Sequence, residues 1–185
     1  MKTTPSLFLF QLIFDFAIAI VMLRVMMQWA SVNFQNPVAQ FIARITNPLV
    51  TPLRKFIPSN EKFDLASIAL AWAIAFIKAI VLLFLISSGM PNFFSLIFSA
   101  VIDIILVSLN VLLLAIILNA VYSLFPMVGP ASVKDFLFLL TEPVLKPLRK
   151  LIPAVSGFDL SPVAVLIIIE LVKYFFVNPL AKFFA

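Results

Sequence analysis

Residues 46–65 and 141–160 repeat each other at a constant offset of 95, without a gap. They read TNPLVTPLRKFIPSNEKFDL and TEPVLKPLRKLIPAVSGFDL and are identical at eleven of twenty positions. The identities include Thr46/Thr141, Pro48/Pro143, Pro52/Pro147, Arg54/Arg149, Lys55/Lys150, Pro58/Pro153 and Asp64/Asp159. Ungapped identity of that density marks an internal duplication, so the chain is expected to fold as two copies of one unit, residues 1–90 and 91–185.

Apolar runs flank each copy: about 6–30 and 65–88 in the first, 93–125 and 160–177 in the second. With 64% hydrophobic and 11% charged residues, a chain of 185 residues has too little polar surface to fold in water, so lipid is its solvent. The first run is longer than a signal-peptide core and lacks a small-residue cleavage site, which predicts a retained span. The third run, 33 residues, would measure roughly 50 Å as a straight helix against about 30 Å of hydrocarbon. It must tilt, protrude or break near one end. Gly89-Met90-Pro91-Asn92 reads as a tight uncharged turn.

Between the spans of each copy lies a shorter pattern. Val38, Phe41, Ile42 and Ile45 are spaced i, i+3, i+4, i+7 and share a helical face, with Asn36 as cap and Pro37 at the first position. Val133, Phe136, Leu137 and Leu140 repeat it, with Ser132 and Asp135 spaced as a capping box. Helices this short lie at the interface or enter it as re-entrant segments. Pro48, Pro52 and Pro58 predict a break after the first of them and a new short helix from near Pro52, turning Arg54 and Lys55 to water or phosphate. Asp64 and Asp159 are placed to cap the second span of each copy, and Pro162 falls in the first turn of the last one.

The expected class is an all-α integral membrane protein: four transmembrane helices as two parallel repeats, each with an interfacial amphipathic helix and a proline-basic loop, packed as a four-helix bundle. The loops carry Arg44, Arg54, Lys55, Lys62 and Lys134, Lys146, Arg149, Lys150, against Lys2 and Lys182 on the other side. The positive-inside bias puts the loops in the cytoplasm and both termini opposite, with Trp29 and Tyr122 at the cytoplasmic interface. That bias accounts for the net charge of +5, so direct nucleic-acid binding is not expected. The expected partners are the lipid bilayer, anionic headgroups and a homo-oligomer or membrane-protein partner. The chain has no Cys, no His and three Gly, which removes the usual nucleophile, general base, metal ligands and phosphate cradle. No cofactor and no enzymatic activity are expected.

Six ionisable residues lie inside apolar runs: Asp15, Arg24, Lys78, Asp103, Glu170 and Lys173. A charge at mid-bilayer costs about 2.5–3.5 kcal/mol on the lenient insertion scale, so such groups pair, face water or meet a partner. Depth pairs Asp15 with Lys78. Lys173 is the offset twin of Lys78 and Asn110 that of Asp15, and Glu170 stands one turn from Lys173. Two polar centres are therefore expected, Asp15–Lys78 and Asn110–Glu170–Lys173, while Arg24 and Asp103 are expected to snorkel. Each centre could be an interhelical clasp, a stretch of cation or proton path, or the site of a partner's counter-charge.

The run Pro143, Pro147, Leu148, Arg149, Lys150, Ile152, Pro153, followed by Gly157, Asp159, Ser161 and Pro162, resembles the YggT family of small membrane proteins over the whole chain. The first copy departs from that pattern, with Glu61-Lys62 before Phe63 and no proline after Ser67. The resemblance implies the bacterial inner membrane. It also implies a role in osmotic tolerance and cation uptake, or in assembly and division functions such as those of plastid relatives in haem attachment and nucleoid distribution. A cation transporter or its accessory, and a non-transporting scaffold acting through the basic loops, are the two functions it leaves in view.

Overall fold

A computed structural model describes residues 5–57, 64–86, 93–125, 129–151 and 159–184. Pro58, Pro153, Gly157 and the expected turn at Gly89 lie outside them. The described residues form only helices and the links between them: α1 Pro5–Trp29, α2 Pro37–Leu53, α3 Leu65–Ile86, α4 Phe93–Leu124, α5 Ala131–Arg149, α6 Ser161–Val172 and α7 Asn178–Phe184. A π turn, Lys173–Val177, joins α6 to α7 without ending the helical path. Four stretches are long and apolar enough to cross a membrane: α1, Leu65–Leu85 in α3, α4, and Ser161–Ala181. The third apolar run does not break; α4 is one helix of 32 residues.

The helix ends follow from local chemistry. Ser31, at φ 53°, closes α1: its N–H donates to the Gln28 carbonyl and the Val32 N–H to that of Met27. This is a Schellman stop, with Val32 and Met27 as its hydrophobic contact in one core cluster. Asn36 caps α2 by accepting from the Val38 N–H at 2.8 Å, ahead of Pro37. The expected Ser132–Asp135 capping box does not form. Pro130 occupies the cap of α5, and Ser132 instead offers its carbonyl to Asn36 Nδ2 at 2.7 Å, tying the starts of α2 and α5 together.

The expected break at the prolines is also absent, because α2 runs through Pro48 and Pro52 and α5 through Pro143 and Pro147. A proline four residues after another withdraws donors from one side of the helix only. In both helices the prolines are exposed, so the freed carbonyls face outward, where water or headgroups can satisfy them. The buried side keeps its bonds and adds one: Thr46 and Thr141 each donate a hydroxyl to the carbonyl four residues back, at 2.8 Å.

Packing departs from a closed four-helix bundle. α4 is the axis, with α1 and α3 against one side and α6 and α7 against another. Ala71, Ala75 and Ala100 let α1, α3 and α4 approach closely around Ile18, Val21 and Val107. Ile116, Val165, Ile169 and Leu145 form a separate core joining α4, α6 and α5. A third core unites α2 and α5 through Ala39, Ile42, Phe136, Leu137 and Leu140, over Met27 and Ala115. Of the four-residue face expected for α2, Ile42 is buried while Phe41 and Ile45 are exposed; the buried line is Ala39, Ile42, Thr46 and Val50.

Candidate functional site: two buried charge centres

Lys78 on α3 bonds two carboxylates, Asp15 on α1 and Asp103 on α4, the latter through both oxygens at 2.8 and 2.9 Å. The Asp15–Lys78 pair expected from depth is therefore present, and Asp103 does not snorkel. Asp103 stands ten residues past the start of α4, as Asp15 does past the start of α1, and that shared depth was legible in the sequence. The Lys78 side chain is only 9% exposed, against 26% for Asp103 and 43% for Asp15. Among the described residues, two carboxylic groups thus share one ammonium within the spans, one acidic group more than basic.

The second expected centre forms only in part. Lys173 bonds Glu170 at 2.8 Å along one helix turn, but Asn110 is exposed and joins neither. Lys173 begins the π turn, whereas its twin Lys78 lies in regular α-helix.

Arg24 forms the other buried centre. It is not at a span end reaching for water. Its Nε lies 3.2 Å from Asp64 Oδ2, and its Nη1 donates to Thr46 Oγ1 at 2.6 Å and Asn47 Oδ1 at 2.8 Å. Asp64 is fully buried, caps α3 through the Ser67 N–H and hydroxyl at 3.3 and 2.7 Å, and takes Arg54 Nη2 at 2.6 Å. One carboxylate thus ties α1, the end of α2 and the start of α3. Burial opposes ionisation of Asp64, but the hydrogen bonds from Arg54 and Ser67 outweigh it and hold its pKa below the usual carboxylate value. Arg54, expected to face water or phosphate, is turned back to Asp64 and stays partly exposed; Lys55 beside it is exposed.

The offset positions carry a weaker version of this clasp. Asn119, twin of Arg24, donates to Thr141 Oγ1 at 2.8 Å. Arg149 spans Asp159 at 2.8 Å and Glu142 at 2.6 Å. Asp159 accepts the Ser161 N–H at 2.9 Å just ahead of α6, where Pro162 sits buried in the first turn. Burial again opposes ionisation of Asp159, and Arg149 with Ser161 draws its pKa below the usual range. The same pairing raises that of Arg149 against a burial effect of opposite sign. Lys150 is exposed at the end of α5. The identities Thr46/Thr141, Arg54/Arg149 and Asp64/Asp159 were the signal for these clasps; Arg24 gave none, since its twin is Asn119.

These features define a multi-pass helical membrane protein in which the buried Arg24, Asp64 and Lys78 join helices. The chain matches the CCB3/YggT family profile over residues 3–85 and again over 98–180. It belongs to that family. It is 32% identical to the YggT protein of Escherichia coli over 166 residues, covering 90% of this chain and 86% of that one. A Pseudomonas aeruginosa protein is 34% identical over 182 residues (96% and 91%), and one from Haemophilus influenzae is 30% identical over 164 residues (86% and 84%). No solved structure matches the chain.

Proposed function

We propose that this protein supports cation and osmotic homeostasis in the bacterial inner membrane, by passing a cation or by assisting a transporter that does. The reading places two parallel repeats, 1–90 and 91–185, with α2 and α5 as interfacial helices, the basic loops cytoplasmic and both termini opposite. The observation that carries it is the Asp15–Lys78–Asp103 centre. A surplus carboxylate within a span is costly in lipid and attracts a proton or metal cation, and groups of this kind mark ion pathways in membrane proteins. The centre draws on both repeats, so relative motion of the two would open and close it. No catalytic role is assigned to any residue, and no cofactor is invoked.

A scaffold for a membrane complex is the second reading. It is favoured by the exposed Lys55, Lys146 and Lys150 beside exposed Phe56 and Leu151. Complementation separates the two readings in cells that lack the endogenous relative and face an osmotic upshift. Loss of rescue by Asp15→Asn/Asp103→Asn, with rescue kept by Lys55→Gln/Lys150→Gln, supports the cation reading. The opposite pattern supports the scaffold.

A further inference from the structure

Helix α2 has three distinct sides. Ala39, Ile42, Thr46 and Val50 are buried against the bundle. Arg44, Asn47, Thr51 and Arg54, spaced i, i+3, i+7, i+10, form an exposed polar stripe with Lys55 at its end. Phe41, Ile45, Leu49 and Phe56 form an exposed apolar flank next to that stripe.

Charge along the stripe is unbalanced. Around α2, Arg24, Arg44, Arg54 and Lys55 face Asp64 alone among the described residues, leaving three positive charges in excess. Around α5, Lys134, Lys146, Arg149 and Lys150 face Asp135, Glu142 and Asp159, leaving one. The twins of the stripe are Leu139, Glu142, Lys146 and Arg149, so a carboxylate replaces Asn47 and captures the guanidinium. The twins of Phe41 and Ile45, Phe136 and Leu140, are buried. Among the described residues, α2 therefore combines the larger excess of cations with the longer exposed apolar flank.

We propose that the α2 stripe binds the phosphate of an anionic phospholipid, whose acyl chains lie along Phe41, Ile45 and Leu49, and that α5 has no equivalent site. Arg44 and Lys55 supply the charge, with Asn47 and Thr51 as neutral hydrogen-bonding groups between them. The apolar flank selects a lipid over a soluble phosphate, which would have no use for it. This inference goes beyond the cation reading and does not depend on it.

Native mass spectrometry of the full-length protein tests it, with phosphatidylglycerol, phosphatidylcholine or inorganic phosphate as the added probe. Wild-type protein should retain phosphatidylglycerol and not phosphatidylcholine. At about 1 kcal/mol per basic residue, or roughly fivefold per charge, Arg44→Gln/Lys55→Gln should weaken retention roughly 25-fold. Lys146→Gln/Lys150→Gln should leave the α2-bound lipid in place. Equal losses in the two double variants, equal retention of phosphatidylcholine, or displacement of the lipid by inorganic phosphate would each overturn the proposal. The wild-type comparison of lipids stands even where a variant fails to fold.

Discussion

Replacing Asp64 with Asn tests the logic of the Arg24 clasp. Asp64 is fully buried and the Arg24 side chain is 6% exposed, so removal of the carboxylate leaves a buried guanidinium without a counter-charge. Breaking a buried pair from one side costs about 3–5 kcal/mol. Arg24 keeps Thr46 and Asn47, and Arg54 is partly solvated, so the lower end, about 3 kcal/mol, applies. At about 2–4 °C per kcal/mol for a chain of this size, Tm in detergent micelles should fall by about 6–12 °C, read by circular dichroism. The control is Asp159→Asn, at a pair whose partners are 39% and 34% exposed and hence worth below about 1 kcal/mol. A second control, Arg24→Met/Asp64→Asn, removes both charges and should recover most of the loss. Equal shifts for Asp64→Asn and Asp159→Asn, or a double variant no better than Asp64→Asn, would refute the reasoning.

Other predictions follow the same contacts. Asp64 and Asp159 are held below their ordinary 3.8, so each stabilises the fold above that pH and loses its contribution as pH falls through the depressed folded value. Tm of the wild type minus that of Asp64→Asn should therefore be flat from neutral pH down to about 5 and shrink below about 4. Thr46→Val removes an acceptor of a charged donor and should cost about 1.5–3 kcal/mol, whereas Thr141→Val faces only Asn119 and should cost about 1 kcal/mol, both read as Tm shifts. Ser31→Gly relieves a left-handed backbone at the end of α1 and should raise Tm by about 2–4 °C; no rise would show that Ser31 is unstrained.

The spans and two of the helix starts were legible in the sequence because they depend on local chemistry. Apolar length marked all four spans, and Asn36 and Asp64 announced their helix starts. The expected Ser132–Asp135 box and the Asp159 cap were not formed, Pro130 and Leu160 standing at those positions. The continuous α2 and α5 were not legible. A proline count ignores which side of the helix loses its donors, and Pro48 and Pro52 fall on the outer side. Depth along a helix located the Asp15–Lys78 pair and fits Asp103 as well; the third member was missed because its offset position is Phe8, so comparing the two similar segments gave no hint of it. A similar limit applied to Asn110: the 95-residue offset from Asp15 grouped it with Lys173, while its direction around α4 carries it outward. Arg24 looked like a snorkelling residue because its acceptors, Thr46, Asn47 and Asp64, come from segments whose packing no local pattern specifies.

The central claim is that the surplus carboxylate at Lys78 serves a cation. Asp103→Asn removes the surplus while leaving the neutral Asp15–Lys78 pair to hold α1 and α3 together. The decisive measurement is proton and potassium flux into sealed vesicles containing only the purified protein, wild type against Asp103→Asn, both checked for folding by their melting curves. Flux in the wild type that is lost in the variant is the predicted result. Undiminished flux in Asp103→Asn would contradict the account, and none from folded wild-type protein under any gradient or osmotic load would rule out conduction by this protein and leave only the accessory role.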